Sequence, residues 1–403
     1  MDPHRRRFSL LDLLTITAVF AVVVSLVVPT IGAARERARR TRCERNLSAL
    51  GLAMLSYHDA HKVFPLGNVI GATAPTIYGE RISEFIARSP RCDNPGAAQT
   101  SALTLLLPFI GEQPTFQAYN QSLASCAVQN ATAVSTRIHA YMCPANDYER
   151  AGRWGYYEAP LGLDTSGPAL TDYALSIGGV GVLTEDIHCW WRCGAVRCPG
   201  VHRRAAGPFN INIGLPIDHI RDGTSHTFLM GEAFSGAPAG LRLDWRLPQG
   251  NEPIVGESSV VVETPWSQGY LGSDPLAAAG QPLKNFGGFG SVFAATAWNA
   301  FYDTNGNLTP SDKWFAIPPN ESKGERARAT FYRDTLPAVN HMRVDGTGIP
   351  GSLGSIQGFR SLHDTVPMLL ADGSLRQIKP MIDPWLWVAL SSCLGREQLP
   401  DGF

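Results

Sequence analysis

The stretch Ile187–His202, IHCWWRCGAVRCPGVH, gathers Cys189, Cys193, Cys198 and His202 into one short segment. Thiolate sulfur and imidazole nitrogen are the ligands of structural zinc, and cysteine pairs are equally the material of disulfides. The gaps of three, four and three residues match no common zinc knuckle or ribbon. In an oxidising compartment disulfides are the expected fate, with structural zinc or free thiols as the alternatives. Three neighbouring cysteines cannot all pair among themselves, so one of them is expected to reach Cys92, Cys126, Cys143 or another. Cys43 and Cys393 complete the set of eight, which allows 105 pairings. Trp190 and Trp191 are read as buried anchors of this segment, the alternative being a stacking platform for a sugar.

Oxygen ligands alternate along Tyr302–Asp312, where Asp303, Asn305, Asn307 and Asp312 have the spacing of a calcium loop. Gly306 stands fourth where an EF-hand needs glycine sixth, and the bidentate glutamate is missing, so a polar Asn-Gly turn is the favoured reading. Calcium is the one cofactor this pattern offers, and no metal is assigned. Two Asp-Gly pairs, Asp222-Gly223 and Asp372-Gly373, adjoin apolar β-rich runs and read as hairpin turns. The functional alternative is that Asp222 and Asp372 present carboxylates to a metal or ligand with His363, which stands eight intervening residues before Asp372. GGFGSVF (Gly287–Phe293) lacks the third glycine and the lysine of a phosphate loop, and there is no His-Glu-x-x-His or Gly-x-Ser-x-Gly. No nucleophile, base and orienter can be assembled, so an enzyme is not expected.

The elements that must position these residues follow from composition and periodicity. A chain of 403 residues has room for a large core. Its net charge of -1 provides no basic field for nucleic acid. With 40 glycines and 29 prolines, turns between short strands are expected rather than a helical bundle. Leu13–Ala34 carries no charge and would span ~33 Å as a helix, close to the ~30 Å of a bilayer core. A cleaved signal, with Gly32–Ala34 as its small-residue site, is the alternative. Beyond Ala34 the chain continues with helix formers, and Leu47, Leu50, Met54 and Tyr57 make an apolar stripe at helical spacing. One helix of ~50 residues is expected, kinked near Pro29 and ended by Phe64–Gly67. The expected division is a basic leader over 1–7, a transmembrane helix over 8–34, its amphipathic continuation over 35–61 and a β-rich globular domain over 62–403. Arg5, Arg6 and Arg7 favour a cytoplasmic N-terminus, whereas the six arginines between Arg35 and Arg45 favour the reverse. Charge leaves the orientation open.

RRRFSLLDLL at Arg5–Leu14, followed by an apolar helix, resembles the start of a type IV prepilin or type II secretion pseudopilin. Those read basic residues and glycine, then Phe-Thr-Leu-Ile-Glu. Pro29 falls 21 residues after Phe8, where pilin helices carry a proline. Further segments occur in order: RRTRCERNLSALGLAMLSYHDAHKVFPLG, ALTLLLPFIGEQPTFQAYN, YMCPAND, TDYALSIGG, IRDGTSHTFLMGE and SLHDTVPMLLADGSLRQI. Together they resemble the planctomycete-type family of prepilin-like proteins of unknown function, which carries a C-terminal His…Asp-Gly motif and is also grouped under a bacterial solute-binding heading.

The resemblance implies an α+β fold: a long pilin-like N-terminal helix packed on a β-rich domain with an antiparallel sheet. It places that domain outside the cytoplasmic membrane, anchored by a single pass, where disulfides form. It makes Arg7, Phe8, Asp12 and Pro29 the processing and assembly positions. Prepilin peptidase cuts after glycine, so Arg7 argues against that partner and for a retained anchor. Asp12 replaces the usual glutamate, keeping the charge with a shorter reach. The family usually has nine residues between the His and the Asp; one fewer here can turn a side chain to the other face of a strand. Cys43 and Cys143 both lie in matching segments, and a bridge between them would tie the helix to the domain. Some pseudopilins bind calcium in the globular domain. The expected function is that of a membrane-anchored pseudopilin-like structural or assembly protein of the cell envelope, with the membrane and itself or other pilin-like subunits as partners. An anchored module binding a solute or polysaccharide is the alternative.

Overall fold

A computed structural model of the chain describes residues 10–69, 100–146 except 124 and 126, 168–178, 207–209, 214–235, 357–397 and 399, with short segments between 244 and 316. Helix α1 runs unbroken from Leu10 to His61, 52 residues, with Pro29 inside it. At 1.5 Å per residue it is ~78 Å long, more than twice a bilayer core. Its first half is apolar on every side and uncovered: Leu13, Phe20, Leu26 and Val28 are all about two-thirds exposed. The hydroxyls there turn inward onto the helix itself. Thr17 donates to the Leu13 and Leu14 carbonyls, Ser25 to Val22 and Thr30 to Val27, so no polar side chain among these three needs water. One such helix near the N-terminus is a candidate membrane anchor or signal sequence.

The second half of α1 is one-faced. Cys43 is the first buried residue among its described side chains, and Leu47, Leu50, Ala53, Met54 and Tyr57 follow at helical intervals. The helix stops where Lys62 takes a positive φ of 64° and Phe64 precedes Pro65, which disfavours helical backbone at 64. Phe64 then donates its N–H to Leu215 instead of up the helix.

The sheet that α1 lies on has six strands: β1 (Tyr173–Ser176), β2 (Phe228–Glu232), β3 (Phe293–Ala295), β4 (Gln357–Gly358), β5 (Val366–Leu370) and β6 (Leu375–Ile378), in the order β4-β3-β1-β2-β5-β6. The four strands β1, β2, β5 and β6 pair antiparallel, with Leu175 opposite Met230 and Leu369 opposite Met230 on the other side. β3 and β4 add a parallel edge, Phe293 beside Leu175 and Ala294 beside Gln357. The expected antiparallel sheet is thus present, with a parallel extension. Parallel neighbours need long crossovers and leave no short-range signature.

Both faces of the sheet are covered. Tyr173, Leu175, Leu229, Leu369 and Ala371 pack with the α1 stripe and with Leu103, Leu106 and Leu107 of the helical segment Ala102–Ile110. The alternate residues Ala174, Phe228, Met368 and Leu370 pack on the other face with Trp387 and Leu390, at and just beyond the short helix Pro384–Ala389. Double coverage is why Val366–Leu370 reads as a continuous apolar run. The fold is α+β, a long helix and short helices on a central sheet.

Gly51 sets how closely α1 approaches β5, since a Cβ there would stand 2.6 Å from Leu369 Cδ1. Gly51→Leu is expected to lower stability by about 1–3 kcal/mol through overpacking. Gly51→Ala meets only a movable side-chain tip and should stay close to the parent. Urea unfolding of the detergent-solubilised chain measures both, and equal midpoints for Gly51→Leu and the parent would refute the close approach.

Candidate functional site

The site lies where α1 enters the globular part. Glu36 and Cys43 are seven residues apart on α1, two turns along one face. The turn after His139–Tyr141 supplies Cys143 and Asn146, Asp172 immediately precedes β1, Glu232 ends β2, and Arg360, Ser361 and His363 lie between β4 and β5. Strand ends and a helix face thereby bring together residues separated by more than 300 positions.

Cys43 and Cys143 form a disulfide with Cα atoms 4.8 Å apart, closing 100 residues of sequence. This is the bridge between helix and domain that the matching segments implied. The Tyr173 hydroxyl donates to the Cys43 carbonyl at 3.0 Å, a second tie at the same point. Burial raises that phenol well above its usual range. His363 Nε2 stands 3.8 Å from Cys143 Sγ, while its Nδ1 is 2.6 Å from Glu36 Oε1. Ser361 Oγ donates to Glu232 Oε2 at 2.7 Å and accepts from the His363 N–H. Cys43, Cys143, Glu232 and His363 are all buried, and one donor atom from each lies within 4.8 Å of the others.

Under Cys143 sits a fully buried carboxylate. Asp172 accepts the Cys143 N–H at 2.7 Å, the Asn146 side-chain amide at 2.7 Å and the Ser235 N–H at 2.8 Å. Asn146 also donates to the Ser235 carbonyl. Burial pushes the Asp172 carboxyl up to about 6; these hydrogen bonds and the nearby Arg360 charge oppose that rise. Arg360 is itself fixed, donating from Nε to the Phe234 carbonyl with its guanidinium 5.0 Å over the Phe234 ring.

Of the residues read from the sequence, His363 is in this cluster and the two aspartates are not. Asp372 is exposed and caps its own turn between β5 and β6, accepting from the Ser374 N–H and hydroxyl, with Gly373 at φ 86°. Asp222 fastens the C-terminal loop, accepting from Ser392 Oγ and from the Gly395 and Arg396 N–H groups. No shared His363–Asp372–Asp222 site is assembled. Cys393 is buried beside that loop, and burial pushes its thiol up to about 12. Arg7, Phe8, Cys92, Cys126, Trp190, Trp191, Cys189, Cys193, Cys198, His202, Asp303, Asn305, Asn307 and Asp312 lie outside the described residues, as does the side chain of Asp12.

Glu36, Asp172 and Glu232 were not singled out from the sequence. Glu36 stands in an arginine-rich run and reads as a solvated charge. Asp172 and Glu232 flank strands, where an acid most often faces water. A usable signal was present in TDYALS and FLMGE, where an acid directly abuts a run with no polar alternation. An acid beside strands buried on both faces must be satisfied internally.

The arrangement is a covalent staple at the root of the helix, adjoined by a soft, buried N, O and S donor set. No curated protein and no solved structure matches the chain. A family model does, over residues 32–384, a span that takes in the second half of α1, all six strands and every residue of the cluster. The chain belongs to the family described as protein of unknown function (DUF1559).

Proposed function

We propose that this protein is a pilin-like structural or assembly subunit of the cell envelope, held in the cytoplasmic membrane by the first half of α1 and displaying its domain on the outer, oxidising side. It has no catalytic role in this reading. The observation that carries it is the division of one continuous helix: the apolar stretch from Leu13 to Ala34 is uncovered and the second half is part of the core. A signal sequence destined for removal has no need to continue rigidly into a folded domain. A subunit that packs its anchor against neighbouring anchors does, because the helix then transmits register to the domain. The buried disulfide at the point of entry fits an oxidising location.

Assembly then depends on the intramembrane carboxylate. A charged Asp12, at the start of the apolar run Leu13–Ala34, is costly in hydrocarbon unless it is paired, so a neighbouring subunit is its natural partner. Native extraction in mild detergent is expected to yield oligomers, and Asp12→Ala to convert them to monomers with an unchanged circular dichroism spectrum. Oligomers that survive Asp12→Ala, or a parent that is monomeric at every detergent concentration, would refute this role for the anchor.

A further inference from the structure

We propose that the Cys43–Cys143 bridge is one of two states of a buried metal site: after reduction, the two sulfurs join His363 and Glu232 as four ligands for a zinc-class divalent cation. The donor types are those of structural zinc, thiolate with imidazole and carboxylate. One donor atom from each residue already lies within 4.8 Å of the other three. Tetrahedral zinc with bonds of about 2.0–2.3 Å needs ligand atoms roughly 3.3–3.8 Å apart, and His363 Nε2 is 3.8 Å from Cys143 Sγ. The sulfurs must part, and they are on separate segments: Cys43 on α1 and Cys143 on the turn after Tyr141.

The surrounding contacts are those a metal site requires. His363 is oriented through Nδ1 by the Glu36 carboxylate, leaving Nε2 facing the Cys143 sulfur. Glu232 is held through its other oxygen by Ser361, and the Cys143 backbone is held by Asp172. Four protein ligands and full burial leave no open coordination position, so the site is structural and not catalytic.

The chemistry balances with a dithiol reductant. Its two thiols become a disulfide, the Cys43–Cys143 bond breaks, and the two electrons and two protons appear as two protein thiols. A divalent cation then displaces both thiol protons and binds two thiolates, the carboxylate and the neutral imidazole. Either state ties α1 to the domain, so the tie survives the loss of the disulfide when metal is present.

Full-length protein in detergent, reduced with a phosphine and kept anaerobic, tests this with cobalt(II) as the probe. The expected result is a thiolate-to-cobalt absorption band with the visible bands of four-coordinate cobalt. With cobalt at ~10 times its dissociation constant, alkylation of Cys43 and Cys143, mapped by mass spectrometry, should slow about tenfold. His363→Gln and, separately, Glu232→Gln should remove that protection while the oxidised variants still form the bridge. Equal alkylation of Cys43 and Cys143 with and without cobalt overturns the proposal, even if other cysteines are protected. Protection that persists in both variants overturns it as well.

Discussion

Replacing Cys43 and Cys143 together by serine is expected to lower the stability of the oxidised, metal-free protein by about 3–5 kcal/mol. The bridge closes 100 residues of sequence, for which loop-closure entropy alone predicts about 4.7 kcal/mol. The loss should also be spatially uneven. Cys43 begins the buried stripe of α1, and the next anchors, Leu47 and Leu50, are one and two turns on. Without the bridge the helix is expected to detach first over Cys43–Asn46, releasing the Tyr173 hydroxyl and the Asn46 amide, which donates to the Met142 carbonyl. Urea unfolding measures the total, and amide exchange along α1 measures the fraying. Reduced metal-free parent protein should match the double variant. A loss below about 1 kcal/mol would mean that the stripe from Leu47 to Tyr57 holds the helix unaided.

Asp172→Ala should cost about 3–5 kcal/mol at neutral pH, because it leaves three buried donors facing a void: the Cys143 N–H, the Ser235 N–H and the Asn146 amide. The pH dependence has a definite sign. Burial raises the folded carboxyl from 3.8 to about 6, so the folded state binds the proton more tightly than the unfolded one. Between those values stability falls as pH rises. The contribution is complete below about pH 4 and gone above about pH 6. The stability gap between parent and Asp172→Ala should therefore widen as pH is lowered from 7 to 4. Urea midpoints of the two proteins across that range give the gap directly. A gap that narrows on acidification would mean that the three donors and Arg360 outweigh burial and hold the carboxylate ionised.

These two predictions concern residues with very different visibility in the sequence. Cys43 and Cys143 could be paired only because both fall in segments that resemble one family; eight cysteines otherwise leave 105 pairings. For Asp172 the sequence offers only an acid abutting the apolar run of TDYALS, which signals burial but not its partners. Asp172 lies between Thr171 and Tyr173 at a strand start, and its three donors come from positions 143, 146 and 235.

What the sequence by itself determined is the local order. The length and apolarity of the first half of α1, the Leu47–Leu50–Met54–Tyr57 stripe, the stop before Pro65 and the Asp372-Gly373 turn each depend on residues within a few positions of one another. Backbone preference and side-chain periodicity act over that range, so these elements were legible without a fold. Only the tertiary structure decided which charges are buried and what they touch. It made Asp222 the clasp of the C-terminal loop, left Asp372 on an exposed turn, and brought Glu36 to His363 across 327 positions. The physical reason is that the cost of burying a carboxylate or an imidazole depends on which donors surround it. Here those partners come from the turn at Cys143–Asn146, from Ser235 just past β2, from the C-terminal loop and from one face of α1, which meet only in the folded chain.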